Sequence, residues 1–455
     1  MTLFEKQKKV PSSASRPDGT FHSSSSSLLP SGRSECHRYM QQLLDRQSHQ
    51  SKGVALKLYI ENFKRLNEIF GYQYCEDLLT QIISYLEEVS GCSVYRYIGM
   101  EFLIFLENTS SGQAVDLTDE ILDKFSRAWK VNGTDCLCSI QIGLCSYPGH
   151  TFSADEMMKL LDLAILKASE FGPNQYAVYD SQMREEFTRK QIIAHYLQTA
   201  LSKDEIEIHY RPVYDIEKER FTRAEFYMRI FIKGIGLVGA SEFLPIAEDT
   251  GQIRAIEYYA LDRVGACIQR LIDGDREFDC ISLPVSSVLL LQEDFPDKIQ
   301  ELIDTYGIPE GKLALELRED AFTTAYLNIN VLLQELSNIG VELILNEFGS
   351  GMSSMASILE LPVNTLKLEK MFIWQLETNS KAAHVIRGLV NIARKLELNI
   401  IAEGVETENQ LQVLTASGCR FQQGFYYCPT IKEELLPRIL GKDRQRAARI
   451  IGSEK

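Results

Sequence analysis

The sequence predicts two folded units of mixed helix and strand. The first is a ferredoxin-like sandwich, with helices packed on a mainly antiparallel sheet. The second is a (β/α)8 barrel whose first strand pair is antiparallel. Three observations carry this expectation. Strand-like and helix-like runs alternate along most of the chain after residue 35. Eight strand-like runs fall within about 230 residues of the C-terminal part, with helical stretches between most of them. The first two of those runs are separated only by residues 214–221, too few for a right-handed crossover, so they must pair antiparallel.

Composition bounds the function before any motif does. The chain has 455 residues, of which 45% are hydrophobic, enough to fill full cores. A formal net charge of −15 argues against nucleic-acid polymers and anionic membrane surfaces as partners, because both require a positive surface. No apolar run is long enough to span a bilayer, and the N-terminus lacks a secretory pattern, so a cytoplasmic location is expected. The ten cysteines form no C-x-x-C pair and the seven histidines no H-x-x-x-H, which disfavours zinc. Any metal would be held by oxygen ligands, the chemistry of Mg²⁺, Mn²⁺ or Ca²⁺.

The elements follow in order. Residues 1–35 are rich in serine and poor in apolar side chains, and read as a disordered leader. Residues 36–180 read as the first unit. A strand is expected at 54–60, helix over 64–88 with a break near Gly71, and strand-like runs at 93–98 and 101–106. The last two are separated by Gly99 and Met100, a hairpin signal with glycine at the first turn position. Helices at 116–129 and 154–171 and strands at 137–147 and 175–179 complete it. Residues 181–202 read as a connecting helix and 203–440 as the barrel. Its strands are expected at 206–213, 222–228, 280–285, 313–317, 341–347, 365–368, 399–402 and 420–426. Residues 441–455 form a basic tail, read as a solvated helix face.

In such a barrel, chemistry sits at the C-terminal strand ends. There the sequence places Glu225, Glu316, Asn346 with Glu347, Lys367 with Glu369, Glu403 and Gln423. Carboxylates converging on one mouth repel each other unless a cation neutralises them, which points to a divalent-metal site. Arg229 and Arg211 are the cationic candidates for an anionic ligand.

These residues carry a family resemblance. Glu225-Phe226-Tyr227-Met228-Arg229 resembles the Glu-Ala-Leu-x-Arg signature of EAL domains. Glu316 to Glu319 resembles its Glu-x-Thr-Glu, and residues 346–354 its Asp-Asp-Phe-Gly loop. Lys367-Leu368-Glu369, Glu403 to Glu406 and Gln423-Gly424-Phe425 match the remaining motifs in order. The first unit resembles a GGDEF domain. Residues 59–64 stand where that family has Asp-x-Asp-x-Phe-Lys, and Ile98-Gly99-Met100-Glu101-Phe102 resembles its Gly-Gly-Asp-Glu-Phe hairpin.

The resemblance implies synthesis of cyclic di-GMP by the first type of domain and its hydrolysis by the second, both metal-assisted. The departures bear on both. Tyr59 replaces a metal-binding aspartate, Met100 the hairpin acid, Ile98 a glycine and Ser169 a phosphate-binding lysine, so no cyclase activity is expected. In the EAL half Glu225, Glu316, Glu403, Lys367 and Gln423 are retained. Lys367 and Glu403 are the remnant of the catalytic set, and Glu225, Glu316, Asn346 and Glu347 are the implied metal ligands, weakened as a set. Pro284 falls where an asparagine ligand is expected, Asn346 replaces the first paired aspartate, Glu347 lengthens the second, and Arg211 replaces a glutamine. The expectation is a catalytically impaired regulator that binds cyclic di-GMP or a protein partner, with Mg²⁺ or Mn²⁺ at most weakly held. The alternative is a weakly active metal-dependent phosphodiesterase. A homodimer through the EAL half is implied by the glycines of the loop at 348–354.

Overall fold

The computed structural model describes residues 33–45, 52–151, 153–318, 326–348 and 361–453. Two compact units divide between Phe187 and Thr188. The leader read over 1–35 lies outside the described residues except for its last three. These belong to a helix, Arg33–Asp45, that the sequence reading did not contain. The loop at 349–354 and Glu319 also lie outside the described residues.

In the first unit, β1 (Gly53–Ile60) is the sheet centre, paired on one side with the strand Glu101–Glu107 and on the other with the strand Ile140–Tyr147, and buried along nearly its whole length. Val54, Leu56, Leu58 and Ile60 pack under the helices Tyr72–Ser90 and Ser111–Phe125. Ala55 faces the helices Arg33–Asp45 and Ala154–Ser169. With β2 (Tyr95–Arg96), β3 (Glu101–Glu107), β6 (Ile140–Tyr147) and β7 (Gln175–Val178), the sheet order is β2-β3-β1-β6-β7, with only β6 and β7 parallel. The expected hairpin forms. The Glu101 N–H donates to the Ile98 carbonyl at 2.9 Å, and Gly99 takes φ +56° at the first turn position.

One helix differs from expectation. The helix placed at 116–129 runs Ser111–Phe125, since Ser110 and Gln113 form a capping box ahead of it. Trp129 instead opens β4 (Trp129–Val131), which pairs with β5 (Thr134–Cys136) across Asn132-Gly133, both at positive φ. The Trp129 ring lies edge-on to Phe125 at 5.2 Å, so the side chain remains in the core while its backbone leaves the helix.

The second unit opens with β8 (Ile206–Asp215) and β9 (Arg220–Ile232), antiparallel over ten residue pairs. From β9 the ring continues in parallel through β11 (Cys280–Val285), β12 (Leu313–Arg318), β13 (Glu342–Phe348), β14 (Thr365–Leu368), β15 (Asn399–Glu403) and β16 (Phe421–Gln423). Strand β16 returns antiparallel to β8 and closes an eight-stranded barrel. Two short strands, β10 (Gly236–Gly239) beside β9 and β17 (Ile431–Lys432) beside β8, lie outside the ring. Helices Ile253–Asp273, Phe295–Tyr306, Tyr326–Asn338 and Ser380–Lys395 run between the parallel strands.

Candidate functional site

The barrel interior is layered by the two-residue period of its strands. Val213, Cys280, Ala314, Ile344, Ile401 and Phe421 form one apolar layer. Two residues further along the parallel strands the character changes to polar: Ser282, Glu316, Asn346, Glu403 and Gln423. Glu225 and Lys367 fall at the same level on β9 and β14, following Arg223 and Thr365. Arg211 precedes Val213 because β8 runs the other way, and the register sets Arg211 opposite Glu225. An apolar floor thus supports a charged mouth.

Lys367 is the hub. Its side chain is 1% exposed, with Nζ 2.8 Å from Glu225 Oε1, 2.9 Å from Glu316 Oε2 and 3.7 Å from Glu403 Oε2. Gln423 Nε2 donates to Glu225 Oε2 at 2.8 Å and to the Arg211 carbonyl at 3.3 Å. Ser282 Oγ and Asn346 Nδ2 donate to the two oxygens of Glu316 at 2.6 and 3.2 Å. Arg211 Nη1 lies 2.7 Å from Glu403 Oε1, and its guanidinium carbon lies 4.2 Å from the Tyr227 ring centroid.

The electrostatics follow from burial. Desolvation and the charge of Glu225 push the Glu316 carboxyl up to about 7, against the pull of Lys367. Burial also acts to raise Glu225, but Lys367, Arg211 and the Gln423 amide together hold it below the usual range. One ammonium cannot fully neutralise both acids, so proton affinity rises at Glu316 and falls at Glu225. Burial opposes the charged form of Lys367, yet Glu225, Glu316 and Glu403 hold its affinity for the proton well above normal.

The structure brings Glu225, Glu316, Asn346, Lys367, Glu403, Gln423 and Arg211 together. Pro284, exposed on β11, stands in register with Glu316 and offers no side-chain donor. Arg229 lies four residues beyond Glu225 on β9, paired in register with Gly239, and makes no ion pair among the described residues. Glu369 caps the short helix Lys370–Trp374 without a side-chain bond. Of Glu347 only the backbone is described, within β13. Sequence reasoning missed Ser282, which secures Glu316, and Tyr227, the ring beneath Arg211. Both stand at inward strand positions, so their signal was the same two-residue period that exposed the acids. A cavity of about 330 Å³ opens above this cluster, lined by Arg211, Glu403, Glu406, Lys370, Trp374 and Phe425 among others.

In the first unit Tyr59 stands opposite Glu101 across β1 and β3, and Ile60 N–H donates to the Met100 carbonyl at 3.1 Å. Phe102 is fully buried, whereas Ile98 is exposed. Met100 lines a cleft of about 370 Å³ with Phe63, Lys64, Asn67, Glu68 and Tyr72. Glu101, the retained acid of that hairpin, is paired with the buried Lys57 at 3.0 Å, and Lys57 also pairs with Asp162. Lys57 was missed, although a lysine inside an apolar strand run is a visible anomaly.

The family model for the EAL domain matches residues 194–430, more than half of the chain. The chain belongs to the EAL family. The model for the diguanylate cyclase GGDEF domain matches residues 31–175, so the whole is a tandem GGDEF–EAL protein. It is 28% identical over 386 residues to the signaling protein YkoW of Bacillus subtilis, covering 84% of this chain and 48% of that protein. It is 28% identical over 390 residues to the bifunctional diguanylate cyclase/cyclic di-GMP phosphodiesterase MucR of Pseudomonas aeruginosa, covering 85% of this chain and 57% of MucR. The chain thus spans about half the length of these relatives. A solved structure, the PaMucR phosphodiesterase in complex with c-di-GMP, superposes with a TM-score of 0.52 at 30% identity, over 54% of this chain and 99% of that one.

EAL domains as a family are metal-dependent, and the described residues of this EAL half fit a divalent ion poorly. The Glu225 and Glu316 carboxylates are engaged by Lys367, and that of Glu403 by Arg211. Gln423 Oε1 is buried without a hydrogen-bond partner among the described residues and is an acceptable ligand oxygen, but it brings no charge to offset the ion. Asn346 adds an amide and Pro284 nothing. Among the described residues no three His, Cys, Asp or Glu side chains stand grouped to hold a metal.

Proposed function

We propose that this GGDEF–EAL protein acts in cyclic di-GMP signalling by binding the dinucleotide at the EAL barrel mouth, with turnover impaired. The observation that carries this reading is the pairing of Arg211, which stands where the EAL motif has glutamine, with Glu403. The position opposite Glu316 on β11 also holds Pro284 in place of the expected asparagine. Two-metal phosphodiester hydrolysis needs free carboxylates to hold ions about 3.5–4 Å apart, so this arrangement favours holding a ligand over cleaving it. The cavity above suits such a ligand. Lys370 and Arg211 offer cations to phosphate, and the exposed rings of Trp374 and Phe425 offer faces on which a purine stacks. The PaMucR structure, solved with c-di-GMP, supports the same ligand class.

A second reading, a slow phosphodiesterase, is favoured by the close association of Glu225, Lys367 and Glu403, all retained. One assay separates the two. The protein is incubated with cyclic di-GMP and Mg²⁺ or Mn²⁺, linear product is followed by chromatography, and binding is measured by calorimetry. Binding without product supports the regulator. Product that disappears in Glu225→Ala supports the enzyme. Absence of both leaves a protein partner as the remaining class, and a homodimer through the EAL half is tested by sedimentation of the same sample.

A further inference from the structure

Two cations touch the acids of the barrel mouth, and their situations differ. Lys367 is sealed beneath the cavity at 1% exposure and committed to Glu225 and Glu316. The Arg211 side chain is 24% exposed and lines the cavity while contacting Glu403 at 2.7 Å. Its guanidinium carbon lies 4.2 Å from the Tyr227 ring centroid, a cation–π contact that does not use the N–H donors. Glu403 does not depend on Arg211 alone, since Lys367 Nζ stands 3.7 Å from its other oxygen.

From this geometry, and resting on the reading that the pocket takes cyclic di-GMP, we infer that Arg211 is the residue that captures a ligand phosphate. It passes from Glu403 to the phosphodiester while remaining on Tyr227. Divalent cation is therefore not required for binding. The fork geometry of guanidinium matches two phosphate oxygens, and the exchange of one anion for another leaves Arg211 charge-paired throughout. Glu403, once released, retains the ammonium of Lys367. The barrel has thereby replaced a bound metal ion by a side chain of its own as the site of anion attraction.

The test is calorimetry on the full chain with cyclic di-GMP, once in EDTA and once in excess Ca²⁺. The affinity of the unaltered protein should agree within about twofold between the two buffers. Arg211→Gln should lose about tenfold or more in EDTA, and Arg211→Lys, which keeps the charge but not the fork, should lose less. Melting curves establish that each variant is folded. Binding of the unaltered protein only in Ca²⁺ overturns the inference and leaves the ligand reading standing. Folded Arg211→Gln binding as well as the parent in EDTA does the same. No binding in either buffer overturns the ligand reading itself and the inference with it.

Discussion

Lys367 Nζ lies 2.8 Å from Glu225 Oε1 in a site where neither side chain reaches solvent. A buried pair of this kind adds little net stability by itself, because desolvation offsets attraction, but removing one partner strands the other. Lys367→Met should therefore destabilise the barrel by about 3–5 kcal/mol in urea unfolding. Adding Glu316→Gln, which removes one stranded carboxylate, should recover part of the loss. If Lys367→Met alone is neutral, the ammonium is not the counter-ion of the site.

A second buried acid lies away from the mouth. Glu257, on the helix Ile253–Asp273, accepts from the Ser286 backbone N–H at 2.6 Å and its hydroxyl at 2.7 Å. Burial pushes it up to about 7 despite those bonds. The folded state therefore binds a proton that the unfolded chain has released above its ordinary value of 4.5. This contribution is fully present below pH 4.5 and lost as pH rises through about 7, amounting to up to about 3 kcal/mol. Glu257→Gln keeps an oxygen for the Ser286 N–H and removes the titration. Its stability should vary less between pH 5 and about 8 than that of the parent, by chemical unfolding at each pH.

In the GGDEF half, Lys57 is buried between Glu101 and Asp162, and those acids are partly solvated. Screening reduces what the pairs contribute. Lys57→Met, close in volume, should change the stability of this unit by about 1–2 kcal/mol at most, read by thermal unfolding. A loss of twice that would mean the lysine organises the hairpin rather than fills a gap. With GTP and Mg²⁺ the unaltered chain should form no cyclic di-GMP by chromatography, since Tyr59 and Met100 provide no carboxylate beside Glu101.

What the sequence disclosed follows from how each signal is encoded. The barrel acids were legible because strand ends carry chemistry in this fold and the inward period is two. Their partnership was not, because the contact of Arg211 with Glu403 spans 192 residues. The hairpin at Gly99-Met100 was legible from its glycine, yet the equally clear Asn132-Gly133 turn was left unassigned beyond an overlong helix at 116–129. There the apolar Trp129 continued a helical pattern that Phe125 had ended. Gly424 was quoted only as part of a motif. The structure shows a Cβ at that position would fall 2.2 Å from the Val405 carbonyl oxygen, at φ +156°, so the segment after Glu403 packs directly against β16.

The remaining prediction concerns why turnover is impaired. Pro284 supplies neither a side-chain oxygen nor a backbone N–H at a position in register with Glu316. Asn346 donates its amide N–H to that same carboxylate and brings a neutral carbonyl oxygen where the motif has a charged carboxylate. Pro284→Asn, Asn346→Asp and Glu347→Asp together return two side-chain oxygens and one negative charge, and shorten the reach of the third position. A charge restored beside Glu316 also competes for Lys367, which frees carboxylate for a cation. With Mn²⁺, the triple variant should hydrolyse cyclic di-GMP at least about tenfold faster than the parent, by the rate of linear product. Single variants should gain much less, because a two-metal site assembled in part holds neither ion in place. If the folded triple variant binds the dinucleotide yet produces no more product, the impairment does not lie in these three ligands, and Arg211 becomes the position to restore.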